Sequence, residues 1–175
     1  MNILLGFSPW LLFWFLAAGY PVTLAAGFSL ALSLIVNLRS FWRGKPKILE
    51  IGSFIFLSAL VVISLFIHSD TFRHWSHMMV NTAMFLTSLV SILVKKPFVF
   101  EYACEEVPDE ERNSPKLYRT CLTITRVWTF LFLFMIFTAT AKVFWEHPVS
   151  WIIVGGHTIL FTGAMVFTRL YRKWH

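Results

Sequence analysis

The sequence predicts an all-α bundle of about six membrane-spanning helices, and three observations carry the prediction. Hydrophobic residues make up 57% of the 175 residues and charged residues only 14%, where a soluble domain carries about 25% charged. Mean hydropathy is +0.68, so much of the surface must face something other than water. The apolar residues also fall in runs near the roughly 17–25 residues that a spanning helix needs.

Read by that length rule, the candidate helices are residues 3–19, 21–38, 48–67, 76–94, 120–143 and 150–169 of a single domain. The first pair is separated only by Gly19-Tyr20-Pro21, a helix-breaking combination that predicts a tight hairpin. One long re-entrant element, leaving five spans, is the competing description. The first run has no Lys or Arg before Arg39, so it lacks the basic start of a cleaved signal. Ala17-Ala18-Gly19 imitates a cleavage site, but the segment is read as retained.

Charge sets the orientation. Arg39, Arg43, Lys45 and Lys47 follow the second run. Lys95, Lys96, Arg112, Lys116 and Arg119 follow the fourth, and Arg169, Arg172 and Lys173 follow the last. Those twelve stand against Arg73 and Lys142 in the remaining connections. The positive-inside rule then puts both termini in the cytoplasm. The same reading accounts for the net charge of +6 without nucleic acid, since no basic stripe with stacking aromatics lies outside the apolar runs. Cys104 and Cys121 fall in or beside a cytoplasmic loop and are expected as reduced thiols.

That loop, 97–117, holds six of the nine acids: Glu101, Glu105, Glu106, Asp109, Glu110 and Glu111. Val107 to Glu111 has the composition of a helix start, with an early Pro and acids in the first turn. Phe98, Phe100 and Tyr102 predict a segment along the headgroup layer.

Polar residues inside the runs are the candidate functional groups. Ala25, Ser29, Ser33 and Asn37 recur every four residues, a stripe that lets helices approach and bond. Asn81, Ser88 and Ser91 form a looser face. Arg126 lies about 10 Å along a helix from Arg119. It either pairs with Glu50 or Glu101, or reaches back to the headgroups. His68, His74, His77 and His147 cluster at the outer connections, with His157 a turn or two inside. They fit an aromatic belt with Trp75, Trp145 and Trp151, and haem or a metal is the competing use. No HExxH or CxxC motif accompanies them. Nucleophile-elbow, P-loop and dinucleotide motifs are equally missing, so no enzyme, resident cofactor or metal is expected.

One stretch has a family likeness. It comprises Ser8-Pro9, the basic loop from Arg39 to Lys47, and a helix ending Phe66-Ile67-His68-Ser69-Asp70. Thr71-Phe72-Arg73-His74-Trp75 follows, and then a helix ending Lys95-Lys96-Pro97. Over residues 7–97 this resembles the intracellular septation protein A family of bacterial inner-membrane proteins. Pro97-Phe98-Val99-Phe100-Glu101-Tyr102-Ala103 resembles a Pro-Phe-x-x-x-Tyr-Ala motif of other, uncharacterised bacterial membrane proteins. The acidic loop from Glu105 to Glu111 departs from the septation pattern. The resemblance implies a non-enzymatic role in septation or envelope maintenance, with division or envelope-synthesis proteins as partners; composition makes the bilayer the surrounding medium, and a second copy of the chain is a further candidate partner. It carries no site residues. A small oligomeric transporter lined by Arg126, Asn81 and His157 is the alternative. A haem- or quinone-linked redox subunit using the outer histidines is the third.

Overall fold

A computed structural model describes residues 3–67, 70–112, 114–144 and 149–174; side chains at 70, 71, 73, 74, 141–155 and 172–174 fall outside the description. It is all-α, with no strand among the described residues. The order is α1 (Ile3–Ala17), α2 (Val22–Trp42), α3 (Ile48–Phe66), α4 (Asp70–Leu93), α5 (Phe98–Ala103), α6 (Pro115–Phe144) and α7 (Val149–Trp174). The chain divides into two compact units, residues 2–87 and 88–175.

In the first unit, α1 packs on α2 and α3, and α2 packs on α3. Pro9 lies inside α1, where its missing N–H would orphan the carbonyl of Leu5 four residues earlier. The neighbouring Ser8 hydroxyl donates to that carbonyl at 2.7 Å, so the helix continues through the proline. It stops where Gly19 and Tyr20 both donate to the Leu16 carbonyl. Pro21 then opens α2 with φ −56°, close to the angle its ring imposes. Phe7, Trp10 and Phe13 are buried, and Trp10 stacks on Phe56 of α3 at 5.5 Å. The first two runs are thus two helices joined by a tight turn.

The next turn is a Schellman cap. Lys45 N donates to Ser40 O and Gly44 N to Phe41 O, with Gly44 at φ +66°, a conformation glycine adopts without penalty. The link is short, so α2 and α3 run antiparallel. Between α3 and α4 one close approach is made at Gly52. A Cβ at Gly52 would lie 2.6 Å from both Cγ2 and Oγ1 of Thr87, and Thr87 is itself held by its hydroxyl bond to Ala83 O at 2.8 Å. Gly52→Ala is therefore expected to cost about 1–3 kcal/mol through overpacking. Thermal unfolding in detergent reads this as a lowered midpoint. Adding Thr87→Ala should recover most of the loss.

In the second unit, α5 and α7 each pack on α6. Phe98, Tyr102, Ile124, Trp128, Phe132 and Met135 form its core. The segment after Pro97 forms α5 and packs one side against protein. Phe98, Val99, Tyr102 and Ala103 share one side of the α5 turn and are covered by protein, and Phe98 N donates to Ser91 Oγ at 3.2 Å. Val107 does not begin a helix. Glu111 N donates to Pro108 O, Arg112 N to Asp109 O and Ser114 N to Glu111 O in successive turns, and Pro115 in the first position of α6 biases the residue before it away from helical angles. Arg112 folds back, donating from Nε to Cys104 O at 2.7 Å and pairing with Asp109. Cys104 and Cys121 are free thiols.

Helix ends also differ from expectation. α2 runs on to Trp42, α4 starts at Asp70, α6 starts at Pro115, and α7 continues to Trp174. Among the described residues, four stretches are long and apolar enough to cross a membrane: Val22–Trp42, Ile48–Phe66, Trp75–Leu93 and Pro115–Thr140. α1, with 15 residues, is shorter than a spanning helix ordinarily is.

The distribution of side chains agrees with lipid as solvent. Ser29, Ser33, Ser53, Ser88 and Thr125 are fully buried, whereas Phe15, Phe28, Ile35, Phe66 and Phe130 are more than 60% exposed. Water as the outer solvent would select the reverse.

Candidate functional site: polar seams between the helices

The small-residue stripe of α2 faces inward, with Ala25, Ser29 and Ser33 all buried. Its partners lie on α3. Ser33 Oγ is 2.8 Å from Ser53 Oγ. Ser53 Oγ donates to Glu50 O at 2.7 Å, so Ser33 supplies the proton of the inter-helix bond. Asn37 Nδ2 donates to Ser33 O and to Glu50 O, both at 2.9 Å, tying α2 to the first turn of α3. Higher up, Thr23 Oγ1 donates to Ser64 O at 3.3 Å. Ser29 Oγ and Trp10 Nε1 are buried with no hydrogen-bond partner among the described residues.

At the foot of this seam lies an ion pair. Lys47 Nζ is 3.8 Å from Glu50 Oε1, and their side chains are 7% and 3% exposed. Lys47 immediately precedes α3 and Glu50 sits in its first turn, where the helix dipole favours a negative charge. Burial raises the Coulomb term but also the desolvation cost, so the pair is strong only while both members are present.

A second seam runs through the second unit. Trp128 Nε1 donates to Thr168 Oγ1 at 3.0 Å, and Thr168 donates to Ala164 O at 2.7 Å. Ser88 Oγ meets Thr129 Oγ1 at 2.5 Å. Thr129 spends its own proton on Thr125 O at 2.8 Å, so Ser88 is the donor. Nearer the far end of α6, Thr138 Oγ1 lies 2.6 Å from His157 Nε2. These contacts link α4 to α6 and α6 to α7.

The candidate residues fall in both units. Glu50 belongs to the α2–α3 seam, Asn81 is buried on α4, and His157 is bonded to Thr138. Glu101 is half-buried on α5 and His77 half-buried on α4. Arg126 is exposed, and no ion pair of its guanidinium occurs among the described residues. It shares a helical side with Phe130, Phe134 and Phe137, all exposed. Of the two carboxylates expected as its partner, Glu50 is engaged by Lys47 and Glu101 is half-buried on α5. Of the outer histidines, His68, His147 and the side chain of His74 lie outside the described residues. No group of three or more His, Cys, Asp or Glu is placed to hold a metal among the described residues.

Two contributors escaped the sequence reading. Lys47 is a buried ion-pair member, signalled by its i, i+3 spacing from Glu50. The Trp128–Thr168 bond joins residues 40 apart, and no local pattern announces it.

Fold and seams together define an all-α protein of membrane-spanning helices tied by short polar contacts. No family model matches the chain, and neither does any curated protein or solved structure.

Proposed function

We propose that the chain is a multi-span protein of the bacterial inner membrane, with both termini in the cytoplasm. It supports envelope maintenance or septation by binding other membrane proteins, not by catalysis. One observation carries the reading. Polar side chains within the helices bond from one helix to the next, as in Ser33–Ser53, Asn37 to the Glu50 carbonyl, Ser88–Thr129 and Trp128–Thr168, which is how membrane helices lock into a scaffold. The resemblance to the septation protein A family supports the biological setting. Glu106, Glu110 and Glu111 are exposed on the loop before α6 and offer a contact surface for a basic partner.

The test is deletion of the gene in its host together with affinity purification of the chain from cross-linked membranes. The reading expects elongated or envelope-sensitive cells and a division or wall-synthesis protein among the captured partners. Normal septa, normal envelope resistance and no such partner would refute it. The buried Glu50 carboxylate favours a second reading, ion-coupled transport, because acids inside membrane helices often mark ion or proton paths.

A further inference from the structure

The outer side of α6 changes character along its length. Arg119 and Arg126 are exposed at its beginning, seven residues apart, followed on the same side by Phe130, Phe134 and Phe137 at 71%, 54% and 66% exposure. The opposite side, from Cys121 through Ile124, Trp128, Phe132 and Met135, is buried. Beside Arg119, between the start of α6 and the end of α7, opens a cleft of about 320 Å³ lined by Pro115, Lys116, Thr120, Thr123 and Tyr171. A second cleft of about 540 Å³ shares Pro115 and Arg119 and continues past Phe100, Tyr118 and Leu122. Arg112, also on that wall, is committed to Cys104 and Asp109. No ion pair of Lys116, Arg119 or Arg126 occurs among the described residues.

Lys116 and Arg119 in the cleft wall, with no counter-ion among the described residues, call for an anion. Their placement says which one. Arg126 lies about 10 Å further along the helix than Arg119, on the Phe-rich side that faces lipid, where an unpaired guanidinium is costly. A phosphate held at the cleft offsets that cost, since Arg126 can reach back along its own stem towards it. A free phosphate would leave the phenylalanine stripe unused, whereas a phospholipid covers it with an acyl chain. A zwitterionic headgroup brings its own cation and matches the charge less well. We propose that the Lys116–Arg119 cleft binds the phosphate headgroup of an anionic phospholipid, with Arg126 beneath it and an acyl chain along Phe130, Phe134 and Phe137.

Native mass spectrometry of the full chain in detergent tests this with phosphatidylglycerol, phosphatidylcholine and inorganic phosphate as probes. Retention of phosphatidylglycerol over phosphatidylcholine is expected. The exposed pair R119Q/R126Q should weaken phosphatidylglycerol binding by roughly thirtyfold, from the usual contribution of two basic residues near an anionic surface. R119K/R126K should keep it. Lys45→Gln, at the exposed link after α2, should leave binding unchanged. Four results would overturn the proposal: equal retention of phosphatidylcholine, an equal loss in Lys45→Gln, loss in R119K/R126K, or displacement of the lipid by millimolar phosphate. A lipid-free dimer that R119Q/R126Q dissociates would also overturn it, assigning the stripe to a second copy of the chain.

Discussion

Trp128→Ala is expected to destabilise the second unit by about 3–5 kcal/mol, the usual range for emptying a buried aromatic site. Trp128 is fully buried. Its ring lies 5.5 Å from Phe132 and meets Phe161 edge-on at 5.0 Å, and its Nε1 donates to Thr168. Most of that loss is packing. Trp128→Phe keeps an aromatic ring and gives up the hydrogen bond, so it should cost less. The bond alone is worth about 0.6 kcal/mol on average between membrane helices and at most about 1.7. Thr168→Val removes the same bond from the other side. Combined with Trp128→Phe, it should cost less than the two losses added, because the second substitution has no bond left to break. Thermal or denaturant unfolding in detergent measures all of these.

Glu50→Leu alone is expected to cost about 3–5 kcal/mol, because it removes the carboxylate that faces the buried Lys47 ammonium. Lys47→Met should cost a similar amount by stranding the carboxylate. The combined K47M/E50L change removes both desolvation penalties and is expected to be far milder than either single change. This non-additivity separates a structural ion pair from two independent anchors, whose losses would add. The pair is also expected to respond little to added salt, since burial shields it from screening.

These side chains show where the sequence was informative. The existence of each long helix was legible, because an uninterrupted apolar run of spanning length has few other solutions. The ends were not. Arg39, Asp70, Lys116 and Arg169 are all helical, and a rule that follows hydropathy stops where charges begin. α5 has six residues, too few for a helical period to stand out from alternation. The Ser29–Ser33–Asn37 stripe was visible from its spacing, but its partners Ser53 and Glu50 depend on the register between α2 and α3, which is a tertiary property. Arg126 was conspicuous as a cation within an apolar run. Its direction could have been read from Phe130, Phe134 and Phe137, which share its phase. The outer histidines were conspicuous too, yet their meaning depended on a neighbourhood that composition does not contain.

If the polar residues within the helices lock them together and do not line a water-filled route, cysteines placed among them stay dry. In a C104S/C121S background, Ser33→Cys and Thr129→Cys are each exposed to a small hydrophilic thiol reagent in intact membranes, with Lys45→Cys as the exposed reference. Rapid labelling is predicted at position 45, with positions 33 and 129 unreactive until the protein is denatured. Labelling of position 33 or 129 in the folded protein at a rate comparable to position 45 would contradict the account and put water inside the seam.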